Sequence, residues 1–113
     1  MSNSFSTYLN FSHSAQEIDK RYGIEDHKER LILEAVLSAY ADKIEFGVLD
    51  LVLMGTIASQ ATLHGVMRNL MAKKLIKTEV SKRDGRRKFV LPTKQGLAWL
   101  KDVTDLLVAS RKR

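Results

Sequence analysis

Two groups of side chains in the second half of the chain carry one kind of chemistry. Gln60, His64 and Arg68 recur at steps of four, beside the hydroxyls of Ser59 and Thr62. A short distance on, Lys82, Arg83, Arg86 and Arg87 crowd around the dipeptide Asp84-Gly85. Amide, imidazole and guanidinium groups on one helix can exchange hydrogen bonds with base edges, Gln with adenine and Arg with guanine. Hydroxyls at a helix start and a cluster of cations suit phosphate. Neither group looks catalytic. No glycine-rich phosphate loop follows a strand, no cysteine exists, and no serine or histidine sits in a recognisable catalytic motif. Glu25 and Asp26 read as helix-start residues, and His13 and His27 as histidines that bind no metal. The expectation is a binding protein, not an enzyme, with no cofactor.

These side chains need a helix and a ribbon to hold them. Over residues 59–74, Leu63, Val66, Met67, Leu70 and Met71 make one apolar stripe at steps of three and four. The methionines read as core filler, as does Met54. Ser59 is the expected N-cap, supported by Thr62. At the other end Lys74 stands where a glycine is usual. Residues 76–80 and 88–91 then alternate as two strands around the charged tip, and Pro92 stops the ladder.

The remaining elements frame this unit. Residues 1–14 read as either a loose arm or a strip laid on a partner. A short helix begins at Ser14, with Glu17 completing a capping box, and ends at Gly23. Ile18 and Tyr22 are its thin apolar content, so it must pack on something else. A stronger helix spans 26–41, capped by Asp26 with Glu29, its stripe being Leu31, Ile32, Ala35, Val36, Ala39 and Tyr40, widened by Leu33 and Leu37. Residues 42–47 read as a polar turn and 48–54 as a short apolar helix broken by Gly55. The last helix starts at Thr93 and runs to about residue 110, with Leu97, Leu100, Val103 and Leu107 as its stripe. Trp99 lies off that stripe, and either packs inside or meets a second subunit.

Charge is distributed unevenly. Of the net +6, residues 1–58 contribute −4 and residues 59–113 contribute +10. A basic half that coincides with the ribbon is the footprint of a polyanion-binding face. The 113 residues, 44% hydrophobic and 28% charged, describe one folded domain. No apolar run reaches the ~18 residues of a membrane span. No positive charge precedes an apolar block at the amino terminus, so no secretory signal is read there. With no cysteine, a reducing, cytoplasmic setting is expected, with no disulfide or thiolate metal site.

The order helix, helix, helix, ribbon, helix resembles a winged helix-turn-helix. The details resemble the MarR family of bacterial transcription regulators: a capped helix, a leucine before the wing, Asp-x-Arg near the wing, and Thr-x-x-Gly opening the next helix. Ser59, Thr62, Leu70, Leu75, Asp84, Arg86, Thr93 and Gly96 meet that pattern in register. The resemblance implies a mainly α fold with a small β-ribbon. Residues 1–25 would form an arm and short helix, 26–92 the DNA-binding core, and 93–113 a closing helix, with both ends available for dimerisation. It implies a homodimer that binds double-stranded DNA sequence-specifically and regulates transcription, with any small-molecule effector left open. Gln60, His64 and Arg68 would enter the major groove, Ser59 and Thr62 would meet phosphate, and Lys82, Arg83, Arg86 and Arg87 would follow the backbone or minor groove. Arg86 is the preferred minor-groove residue. The alternative is a winged helix serving as a protein-interaction or accessory DNA-binding module in a replication, partition or mobile-element complex.

Overall fold

A computed structural model describes residues 3–47, 59–82, 85 and 87–111. The order is α1 (Asn3–Arg21), α2 (His27–Ala41), β1 (Phe46–Gly47), α3 (Gln60–Ala72), β2 (Ile76–Val80), β3 (Lys88–Pro92) and α4 (Lys94–Arg111). The apolar helix expected over 48–54 lies outside the described residues, as do Met54, Arg83, Asp84 and Arg86.

Of the two readings of residues 1–14, the loose arm is overturned from Asn3 on: α1 is continuous, and Ser14 sits half-buried within it instead of capping it. The reason is packing. Phe11, Ala15, Ile18 and Tyr22 fall at helical spacing and are all at least half-buried, so a partner surface holds a segment whose Ser and Asn content argues against helix. That partner is α4, which runs antiparallel to α1. Phe11 and Ser14 share a groove with Leu106 and Ala109 near one end, and Asp19 and Tyr22 bond Trp99 and Asp102 near the other. Gly23 ends α1 at φ +82, a left-handed conformation that glycine adopts without steric cost. The Ile24 N–H then donates back to the Asp19 carbonyl at 2.9 Å.

Helix α2 follows the sequence reading closely. Asp26 accepts from the Glu29 N–H at 3.0 Å, and Ile32, Leu33, Val36, Leu37 and Ala39 are buried. Leu31 and Ala35 are only half-buried, and Tyr40 is 47% exposed. Ile32, Leu33, Val36 and Leu37 meet Leu63, Val66 and Leu70 of α3, Leu75, Ile76 and Val90 of the ribbon, and Trp99 of α4 in one core. Met67 is half-buried against it, whereas Met71 faces outward, so only one of these two methionines fills core.

The ribbon is part of a three-stranded antiparallel sheet in the order β1-β3-β2. Strand β1 pairs Phe46 with Val90 and Gly47 with Phe89, so the expected turn over 42–47 ends in a strand. Two residues carry no readable alternation, and the pairing partner supplies what local sequence does not. Across the wing, Thr78 faces Val90 and Ile76 faces Pro92 toward the core.

The stripe expected on α4 is divided. Leu97 and Val103 pack on the core with Leu106, while Leu100 and Leu107 are exposed. Trp99 is 1% exposed and donates its indole N–H to Asp19 at 2.8 Å. It therefore packs inside the monomer, because α1 covers a side of α4 that the sequence alone leaves open.

Candidate nucleic-acid interface

Ser59 begins α3 in extended backbone at φ −66 and ψ 160, and its Oγ accepts from the Thr62 N–H at 3.3 Å. Its own hydroxyl donates to Thr62 Oγ1 at 3.0 Å. This arrangement employs Ser59 as the cap and leaves the Thr62 hydroxyl hydrogen as the donor still available to an incoming anion.

With Leu63, Val66 and Leu70 turned into the core, the opposite face of α3 carries Ala61, Gly65, Arg68 and Ala72, flanked by His64 and Asn69. Arg68 and Asn69 are exposed, His64 half-buried. Arg68 extends back over Gly65, where an added Cβ would lie 3.8 Å from the guanidinium. The face is low in relief around one long cation, a shape that can enter a groove closely. Gln60 is the first residue of α3. Asn69 joins the face although the sequence reading passed over it, and its signal was available: it is one residue beyond Arg68 on the polar side.

The wing is closed at its base, where the Ser81 N–H donates to the Arg87 carbonyl at 2.7 Å. Ser81 is 3% exposed and its hydroxyl donates to Glu45 at 3.1 Å, which fastens the wing to the segment entering β1. Lys82, Arg87 and Lys88 are exposed around the tip with Gly85. Lys77 is exposed on the outer face of β2, where Glu79 partly offsets it at 3.3 Å. Arg83 and Arg86 lie outside the described residues. The structure therefore presents Arg68, Lys82 and Arg87 as exposed cations on α3 and on the wing that follows it, while α3 and the wing are held by one core.

The positions that hold this unit are less visible in sequence. Lys74 takes φ +62, so a lysine adopts the left-handed conformation usually left to glycine after the last helical turn. Thr93 accepts from the Gly96 N–H at 3.1 Å, which caps α4, and its hydroxyl donates to the Lys74 carbonyl. Its N–H donates to the Leu75 carbonyl at 3.1 Å. Gly96 is needed because the Leu75 carbonyl occupies the space a Cβ would take. The Thr-x-x-Gly pattern is thus a joint between the exit of α3 and the start of α4.

Among the described residues no cluster of three His, Asp or Glu could hold a metal ion. His13 pairs with Glu17 at 3.4 Å along exposed α1. No described helix is long and apolar enough to cross a membrane.

No protein-family model and no curated protein sequence matches the chain. Solved structures do. The S. aureus MepR–DNA complex is 20% identical with a TM-score of 0.78, covering 93% of this chain and 75% of that one. S. aureus MepR bound to ethidium bromide gives 19% and 0.70 over 99% and 79%. A single-residue mutant of MepR from a multidrug-resistant S. aureus clinical isolate gives 20% and 0.71 over 99% and 80%. MepR is a winged-helix regulator of the MarR family, so the resemblance read from residues 59–96 extends, as fold, over nearly the whole chain. The chain has the winged helix-turn-helix fold of the MarR-type regulators.

Proposed function

We propose that this protein is a sequence-specific, double-stranded DNA-binding transcriptional regulator that acts as a homodimer in the cytoplasm and catalyses no reaction. The observation that carries this reading is the low-relief face of α3, with Arg68 at its middle and an exposed basic wing beside it. Arg68 reads a guanine, Gln60, His64 and Asn69 make further base-edge contacts, and Thr62 donates to phosphate while Ser59 holds the cap. Lys82, Arg83 and Arg87 follow the backbone, and Arg86 enters the minor groove. MepR, which shares the fold, has been solved bound to DNA, and this supports DNA binding by this chain.

Selection of bound duplexes from a random pool tests this directly. The expected product is a near-palindromic consensus, and Arg68→Ala weakens the selected site by about 1–3 kcal/mol relative to an unrelated duplex. Equal losses on both duplexes reduce Arg68 to a backbone contact. The small side chains Ala61, Gly65 and Ala72 favour a second reading, an accessory module that binds DNA without reading it. Binding that persists with Gln60, His64 and Arg68 all changed to Ala selects that reading.

A further inference from the structure

The exit of α3 is gripped from two sides. On one, Thr93 bonds the backbone of Lys74 and Leu75. On the other stands Lys73, which follows α3 directly. Its stem passes beside Gly23, where an added Cβ would meet Lys73 Cδ at 3.5 Å. Its Nζ donates to both oxygens of Glu29, at 2.7 and 2.9 Å, and lies 3.3 Å from Glu25 Oε1. Glu29 is 3% exposed, and its Oε1 also accepts from the Glu25 N–H at 3.0 Å. A carboxylate this deep requires a cation or loses its hydration uncompensated. Burial acts to lower the pKa of Lys73, but hydrogen bonds and charge from Glu29 and then Glu25 outweigh it and raise the value above 10.5.

The α1–α2 corner that holds Lys73 is itself tied to α4. Tyr22 donates to Asp102 at 2.6 Å and Trp99 donates to Asp19 at 2.8 Å. A chain of directional bonds therefore runs from the α1/α4 pair through the corner to the last turn of α3. Contact between the Leu63, Val66 and Leu70 stripe and α2 is non-directional and tolerates rolling of the helix. Two charge-assisted bonds to one carboxylate do not.

We infer that Lys73 is a positioning residue: through Glu29 and Glu25 it sets the angle at which α3 is presented relative to the α1/α4 pair. The consequence for DNA rests on the function proposed above; the angle itself does not. In a dimer, that angle sets how both recognition helices meet their half-sites.

The test uses the full chain. With no cysteine in the sequence, Met71→Cys on α3 and Asp105→Cys on α4, both exposed and off the proposed DNA-contacting and dimer faces, accept two spin labels without background. Labelled chain diluted into unlabelled chain reports the intrachain α3–α4 distance by pulsed electron paramagnetic resonance. Lys73→Met with Glu29→Gln keeps the stem beside Gly23 and an acceptor for the Glu25 N–H, and leaves no orphaned charge. The distance distribution is expected to broaden in this variant and to stay narrow in Lys73→Arg. Affinity for the selected duplex is expected to fall about tenfold if the competent orientation drops to roughly a tenth of the population. Glu29→Gln alone is the milder variant, for use should the double change prevent folding, and must broaden the distribution in the same direction. An unchanged width and centre overturns the inference. Broadening in a protein whose wild type selects no duplex supports the inference while removing the DNA-binding reading.

Discussion

A side chain on residue 96 would drive its Cβ into the Leu75 carbonyl oxygen, a backbone atom that cannot rotate away. Gly96→Ala must therefore separate α4 from the exit of α3 or distort the Thr93 cap. Overpacking of this kind costs about 1–3 kcal/mol, measurable as a lower urea midpoint; a midpoint equal to the wild type's shows that the joint yields without strain. Tyr22 acts at the same scale. Its bond to Asp102, then burial and the Asp102 charge, raise the phenol's pKa above 10.0, with Arg21 opposing. A group whose folded pKa is raised contributes fully below the unfolded value and loses that contribution as pH climbs through the folded one. Tyr22→Phe should thus destabilise the protein by about 1 kcal/mol at neutral pH. That difference should shrink once the pH passes about 10. Denaturation of both proteins at neutral and alkaline pH checks the sign, and a difference that grows with alkalinity contradicts it.

Among the elements, the wing carries the plainest expectation. Arg87 is exposed at the end of the loop that the Ser81 to Arg87 bond closes. Arg86→Ala with Arg87→Ala should flatten the salt dependence of DNA binding by about one to two phosphate equivalents. An unaltered slope removes the wing tip from the interface. Capped, strongly periodic elements were the legible ones. Asp26 and Ser59 mark α2 and α3 within a residue of where they start, and the alternation of residues 76–80 and 88–91 shows the wing. Elements defined by a distant partner were not legible. Helix α1 was only partly visible because its stripe of Phe11, Ala15, Ile18 and Tyr22 is interleaved with Ser and Asn, and its helicity depends on α4. Strand β1 has two residues and exists by pairing with β3. For the site, residue types and order were readable, but the Lys73 to Glu29 pair was not. Glu29 satisfies a helix-start pattern so well that nothing in sequence reveals its burial.

At the level of the whole molecule the shape is elongated, 56 × 26 × 22 Å with a radius of gyration of 15.7 Å, against about 13 Å for a compact chain near this length. Helices α1 and α4 leave apolar side chains facing outward: Tyr8 and Leu9 on α1, and Leu100, Leu107 and Val108 on α4. In the proposed homodimer these faces meet their counterparts. Leu100→Asp with Leu107→Asp should then shift light scattering from dimer to monomer with helix content retained, and an unshifted mass places the interface elsewhere.

The antiparallel pairing of α1 with α4 also dictates an order of events. Asp19 and Trp99 are 80 positions apart, so during synthesis α1 emerges long before the helix that stabilises it. A segment rich in Ser and Asn holds little helix alone, and its apolar stripe has no cover until α4 arrives. Docking of α1 must therefore await α4, as a late step closing a long loop. The only tryptophan sits at that contact, 1% exposed. Trp99 also belongs to the shared core, so its fluorescence reports the closing of that core by α4 together with α1.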